Sequence, residues 1–237
     1  AVLGEPVGNV SKLLSDLRRR RWVVPVERGK YLLLPLESGA KVSWPINELV
    51  LASTLVSPYY VSFWTAIHYY GHTDQVPRTV FVATTRRKGS IELSGRRFQF
   101  VKLAGYKFFG YQQVWVEADR VHVASPEKLL VDCLDLPKYS GGIVEVSKFL
   151  WRTRDTMDWS RVLEYCTRMR NGAISKRLGF LLEFFSIRPD VVERLQSVLS
   201  AGYALLDPTL PKSGPYSCRW RLQVNVPEQE IASWRLS

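Results

Sequence analysis

The sequence has little cysteine and no long apolar run, and both shortages exclude whole classes of protein. Its three cysteines are odd in number and far apart, so they fit neither a disulfide framework nor a metal site. This usage favours a reducing environment. No apolar run approaches the roughly 18–20 residues that a membrane-spanning helix needs. The first residues also lack the basic and apolar stretches of a signal peptide, so we expect a cytoplasmic protein without a membrane partner.

Motifs of the common enzyme classes are missing as well. Metal-dependent nucleases of the restriction type need Glu-x-Lys or Asp-x-Lys downstream of another acidic residue, and neither motif occurs. Gly89-Ser90 is present, but the Asp-x-Asp that a nucleotidyltransferase also needs is absent. Phosphate-binding loops, Gly-x-Ser-x-Gly and His-Glu-x-x-His are absent too. The sequence predicts no catalytic residue, no metal and no cofactor, with a nucleic-acid-processing enzyme as the less favoured alternative.

Acidic residues are scarce relative to basic ones, 22 against 33, which gives a formal net charge of +11. Such an excess favours a polyanionic partner such as nucleic acid or an acidic protein. The basic residues concentrate in two regions. Residues 1–35 carry seven basic and three acidic side chains, and residues 78–107 carry eight basic side chains against Glu92 alone.

The first basic region predicts a helix followed by a hairpin. The helix covers residues 9–21 with Asn9 as its N-cap, and its apolar positions recur at the helical spacing. The next residues predict two strands joined by a turn that contains Arg28-Gly29. Lys12, Ser15 and Arg19 lie opposite the apolar stripe, which consists of Val10, Leu13, Leu14 and Leu17.

A helix with a basic face that is followed by a basic-tipped hairpin is the second half of a winged helix-turn-helix, whose helix lies in the major groove. An ordinary amphipathic helix with a solvated basic face is the alternative. The side chains expected to face base edges are Asn9, Ser11, Lys12 and Ser15. The side chains expected to meet phosphates are Arg18, Arg19, Arg28 and Lys30.

The front of this winged helix is missing. A complete one has two earlier helices that bury the apolar stripe, and the residues before Asn9 are too few to form them. The sequence also does not begin with Met. We expect either a fragment that lacks the front of the winged helix, or another element that covers the stripe.

Beyond the hairpin, the sequence predicts a larger second domain. Residues 37–45 have the composition of a linker, which divides a winged-helix element at 1–36 from an α+β domain at 46–237. Strands of a mainly antiparallel sheet are predicted over 78–124, and short strands in the tail from 203. Helices are predicted at 46–56, 60–71, 126–135, 142–153, 158–170, 173–186 and 189–199.

Other candidate groups in this domain have structural and functional interpretations. Two turns would form a second basic patch if both lay at one end of the sheet, and this patch would extend a DNA footprint or receive an acidic partner. A solvated sheet edge is the alternative. Its members are Arg86, Arg87, Lys88, Arg96 and Arg97. Three further groups are interpreted as structural, namely His68 with His72, Asp132 with Asp135, and the aromatic residues between Tyr59 and Tyr70.

Six segments combine in a familiar order and spacing. They are NVSKLLSDLRRRRWVVPVERGKYLLLPL, SPYYVSFWTAIHYYG, VPRTVFVATTRRK, KFFGYQQVWV, SPEKLLVDCLDLPKYSGGIVEVSKFLW and SKRLGFLLE. Together they resemble the AbiEi-type (abortive infection) antitoxin and transcriptional regulator family of type IV toxin–antitoxin systems. Residues 9–31 match that family's recognition helix and wing.

The resemblance implies a function for each part of the chain. The winged helix would bind double-stranded DNA at its own promoter and repress transcription, and the larger domain would provide antitoxicity. The functional partner would be a nucleotidyltransferase-like toxin, which the antitoxin counteracts without forming a stable complex. A plain winged-helix transcription factor without an antitoxin role is the alternative.

Overall fold

The computed structural model describes residues 7–20, 22–27, 29–33, 47–93 and 95–235. The helices in chain order are α1 (Val7–Arg19), α2 (Glu48–Leu55), α3 (Phe63–Tyr69), α4 (Pro126–Asp135), α5 (Ile143–Thr153), α6 (Trp159–Arg168), α7 (Gly172–Phe184), α8 (Pro189–Ser197) and α9 (Glu228–Ala232). The strands are β1 (Val23–Glu27), β2 (Lys30–Leu33), β3 (Tyr59–Val61), β4 (Thr79–Thr84), β5 (Ile91–Leu93), β6 (Arg96–Lys102), β7 (Tyr111–Val116), β8 (Asp119–Ala124), β9 (Ala204–Leu205), β10 (Tyr216–Ser217) and β11 (Leu222–Gln223).

The fold is α+β, and its centre is a mixed six-stranded sheet in the order β5-β6-β4-β3-β8-β7. The expectation of a mainly antiparallel sheet is corrected, because β6 runs parallel to β4 and β8 runs parallel to β3. The hairpins β5–β6 and β7–β8 are antiparallel as predicted. Tight turns make hairpins visible in a sequence, whereas nothing local specifies which distant strand becomes a neighbour.

Local signals placed most helices correctly. The Asn47 side chain accepts from the Leu49 amide at 2.9 Å and begins α2. Ser125 accepts from the Lys128 amide at 3.3 Å, with Pro126 as the first helical residue of α4. The predicted helix at 60–71 is too long, because residues 59–61 form β3 and the helix begins at Phe63. Those three residues favour β structure, and pairing with β4 and β8 determines their conformation.

Helix α4 lies at the centre of the domain. Every one of its residues from Glu127 to Asp135 is buried, and it packs against α3, α5, α6, α7 and β8. Helix α2 packs against β3, β4 and β8. The apolar core joins these elements in one cluster that also includes Trp220 and Leu222 from the three-stranded sheet β10-β11-β9.

Two expectations fall partly or wholly beyond these elements. The proposed linker at 37–45 lies outside the described residues. In the described ranges, no helix combines the length and apolar character required to cross a bilayer.

Candidate nucleic-acid interface

Helix α1 presents its polar residues to solvent. The predicted base-facing residues are all exposed, and so are Arg18 and Arg19. The exposed fraction of the Arg19 side chain is 78%, and its guanidinium Nη2 lies 3.0 Å from the Asp16 carboxylate. The exposed base-facing residues are Asn9, Ser11, Lys12 and Ser15. This arrangement leaves the proposed DNA-facing side of α1 accessible.

The apolar stripe of α1 is only partly covered within the described residues. Val10, Leu14 and Leu17 are half-buried. Leu13 is 53% exposed, contrary to the expectation that it faces inward. Helix α1 packs against β1, where Val23 is buried and Val26 is partly buried against the main core.

The hairpin follows α1 directly. The Trp22 amide donates to the Leu17 carbonyl at 2.9 Å, which turns the chain from the helix into β1. Strand β1 pairs antiparallel with β2, and Glu27 lies opposite Lys30 next to the turn. Gly29 has a φ of +76°, a left-handed conformation that glycine adopts without steric cost. The predicted order of helix, strand, turn and strand is therefore confirmed.

The tip of the hairpin is only partly described. Arg28 lies outside the described residues, and Lys30 is placed in β2 by its backbone. Aromatic side chains accompany the basic ones on this element. Trp22 is 42% exposed with the Arg20 guanidinium 5.8 Å above its ring, and Tyr31 is 41% exposed.

The second group of basic residues does not meet the condition of one common end. In the parallel pair β4–β6, Arg97 lies opposite Thr79, the first residue of β4. Arg86 and Arg87 follow Thr84, the last residue of β4, so the two groups leave opposite ends of the pair. At about 3.3 Å per residue, these ends are roughly 16 Å apart. The predicted single patch is thus divided.

Two members of this group are also engaged within the protein. Lys88 donates to the Leu55 carbonyl and lies 4.9 Å above the Phe100 ring. Arg96 donates to the Pro77 carbonyl at 2.8 Å and pairs with Glu48 at 3.2 Å. Arg86, Arg87 and Arg97 are exposed, and Arg97 makes a 3.4 Å contact with Ser90 Oγ.

A buried charge cluster on α4 was not anticipated from the sequence. Lys128 and Asp132 form an ion pair with side chains 0% and 1% exposed. Asp132 Oδ2 accepts from the Tyr60 hydroxyl at 3.0 Å and from Ser62 Oγ at 2.8 Å. Burial raises the pKa of Asp132, although Lys128 and these hydrogen bonds oppose the rise. The cluster is closed to solvent and therefore to any substrate.

Asp135, one turn further along α4, is buried as well. Its carboxylate accepts from Lys107 Nζ at 2.7 Å and from Asn171 Nδ2 at 2.6 Å. Asp132 and Asp135 do not solvate the helix, as the spacing had indicated. They join α4 to β3, to the turn at 105–107 and to the start of α7. The Lys128–Asp132 spacing of four residues was a usable signal, but the same spacing is common on exposed helices.

The remaining candidate groups have structural surroundings. Tyr59, Tyr60 and Phe63 are buried in the core. His72 contacts the Phe149 ring at 5.5 Å, and burial together with Arg152 lowers its pKa. Within the described part of the chain, no three His, Cys, Asp or Glu side chains come together as a metal site.

These elements define the class of the protein, an α+β fold with a mixed sheet, a central buried helix and a helix–hairpin unit at the N-terminal side. No protein-family model and no curated protein matches the chain. Among solved structures, it is similar to the crystal structure of the RV2827C protein from Mycobacterium tuberculosis. The TM-score is 0.68 at 15% identity, over 96% of this chain and 83% of that chain. At this level of identity, the likeness concerns the fold alone.

Proposed function

We propose that the chain is a DNA-binding transcriptional regulator that holds double-stranded DNA with α1 and the β1–β2 hairpin. One observation carries this proposal. All the predicted contact residues on α1 are exposed, and a hairpin follows the helix in the order that a winged helix-turn-helix requires.

The two ends of α1 would have different roles. The side chains at 9–15 belong to its first half, the part of a recognition helix that approaches base edges. Arg18 and Arg19, at its end, would meet phosphates together with Arg28 and Lys30 of the hairpin. Phosphate contacts provide affinity that depends strongly on salt, whereas base contacts provide the choice of sequence.

The ion pair between Arg19 and Asp16 does not prevent this role. An exposed pair of this kind contributes only about 0–1 kcal/mol to stability. A phosphate can therefore replace the Asp16 carboxylate as the partner of Arg19 at little cost.

We further propose that this regulator is the autorepressing antitoxin of a type IV pair. Support comes from the resemblance of six segments to the AbiEi-type family. The domain from residue 46 onward would counteract a nucleotidyltransferase-like toxin without binding it stably. A plain winged-helix transcription factor is the second candidate, favoured by the same exposed face of α1.

Binding to DNA from the gene's own promoter tests the first proposal. Fluorescence anisotropy should show tighter binding to this duplex than to a shuffled duplex of equal length, with affinity that falls steeply as salt rises. Equal affinity for both duplexes would contradict the proposed sequence recognition. Magnesium-dependent cleavage of either duplex would favour the enzyme alternative.

Co-expression tests the second proposal. A neighbouring gene should encode a protein with Gly-Ser and Asp-x-Asp motifs that stops growth when expressed alone. Co-expression of this chain should restore growth, and the two proteins should not co-elute. If no such neighbour exists, or if growth is not restored, the plain transcription factor becomes the better description.

A further inference from the structure

The central sheet ends in two very different edge strands. Strand β5 has three residues and is flanked in sequence by the basic segments 86–88 and 96–97. Short edge strands with charge nearby are a common protection against pairing with another chain. Strand β7 at the other edge has six residues, Tyr-Gln-Gln-Val-Trp-Val, without a charge or a proline. Only β5 therefore carries the usual protection.

The backbone of β7 is open on its outer side. In the described part of the chain, β7 pairs with β8 alone. An antiparallel pair directs every second N–H and C=O group away from its partner. Strand β7 thus offers a row of backbone donors and acceptors to another strand.

The side chains of β7 form an exposed aromatic face. Tyr111, Gln113 and Trp115 share one face, because side chains alternate along a strand. Trp115 is 64% exposed and Tyr111 is 37% exposed. The Arg120 guanidinium lies 4.7 Å above the Trp115 ring, and Tyr111 stacks on Tyr60 at 5.2 Å. Trp, Tyr and Arg are the residues that most often dominate the binding energy of protein interfaces.

We propose that β7 is the interface for a second copy of this chain. The two β7 strands would pair antiparallel across a two-fold axis at Gln113. In this register, Tyr111 of each copy lies opposite Trp115 of the other, an aromatic pair of the kind that stabilises sheets. Gln113 lies opposite itself, and its amide both donates and accepts. No charged residue meets its own copy within the strand.

Charge complementarity beyond the strand supports a second copy as the occupant. The same register brings Glu117 of one copy level with Phe109 of the other. Glu117 belongs to the exposed acidic turn that also contains Asp119. The Arg168 guanidinium lies 3.9 Å above the Phe109 ring, so an acidic turn meets a basic side chain twice. The same acidic turn disfavours a nucleic-acid strand at this edge.

Sedimentation velocity of the full chain over a range of concentrations tests this interface. The wild-type chain should form a dimer. Gln113→Lys places two positive charges opposite each other and should raise the dissociation constant at least about tenfold. Gln229→Lys makes the same charge change at an exposed position of α9 and should leave the dimer unchanged.

A charge-swap mixture gives the sharper result. Gln113→Glu alone should also weaken the dimer, whereas mixing it with Gln113→Lys should restore association, because opposite charges then face each other across the axis. If circular dichroism shows that Gln113→Lys is misfolded, Trp115→Thr provides a second disruption of the pair. A wild-type chain that stays monomeric, or a dimer that both variants leave intact, would overturn the proposal.

Discussion

Lys12 and Arg19 occupy different ends of the exposed face of α1, and they should affect DNA binding differently. Lys12→Ala should weaken binding to promoter DNA more than to shuffled DNA, because it removes a base-edge contact. Arg19→Ala should weaken both equally and reduce the salt slope by about one unit, since it removes a phosphate contact. Arg194→Ala, at an exposed position of α8, is the matched control. Unchanged affinity in both α1 variants would remove these residues from the interface.

Asp16 is the acidic residue closest to this face, and its loss should strengthen DNA binding. Asp16→Asn releases Arg19 and removes a repulsive charge, so affinity for any duplex should rise about threefold at low salt, as expected for an exposed pair. Asp155→Asn disrupts a comparable exposed pair with Arg154 and should have no effect. Weaker binding of Asp16→Asn would argue that the carboxylate itself supports the DNA-binding conformation.

At the scale of the element, α4 depends on its buried ion pair. Lys128→Met leaves the Asp132 charge uncompensated and should lower the free energy of unfolding by about 3–5 kcal/mol. The double variant Lys128→Met/Asp132→Asn should be more stable than Lys128→Met, because the neutral amide oxygen still accepts from Tyr60 and Ser62. Urea denaturation measures both values. Equal stability of the single and double variants would contradict the charge-pair explanation.

Helix α7 depends on a close approach at Gly179. A Cβ atom at this position would overlap the ring of Trp220, which is fully buried. Gly179→Ala should therefore lower the free energy of unfolding by about 1–3 kcal/mol or more, the range for overpacked cores. Gly105→Ala is the control, since a Cβ there meets no atom within 4 Å. A Gly179→Ala melting temperature equal to that of the wild type would mean that the ring moves aside freely.

The elements also show which kinds of signal a sequence carries. The caps at Asn47 and Ser125 and the hairpin turn at Gly29 act within a few residues, so they predicted helix starts and a hairpin correctly. Strand β3 was missed because three residues are too short to show a period. The parallel pairs β4–β6 and β3–β8 depend on contacts between distant residues, which periodicity does not encode.

The candidate site shows the same division between local and tertiary information. The exposed face of α1 was predictable, because the helical period assigns each residue to a side. The burial of Lys128 was not, because an i, i+4 ion pair has the same pattern inside and outside a protein. The division of the second basic group follows from the β4–β6 register, which is a tertiary property.

At the scale of the whole molecule, the basic charge has several separate locations. The formal charge of +11 is distributed over α1, the hairpin and both ends of the β4–β6 pair. A general excess of this kind attracts DNA without choosing a sequence. Promoter recognition by this chain therefore has to come from the base-facing residues of α1.

Site-specific cross-linking tests this central claim most directly. A photoreactive phenylalanine analogue introduced at Ser15 should cross-link to promoter DNA on illumination, because Ser15 is exposed on the proposed groove-facing side of α1. The same analogue at Thr156, an exposed position outside α1, should give no cross-link. The account predicts a promoter-dependent product from Ser15 alone. Absence of a product from Ser15, or an equal product from Thr156, would contradict it.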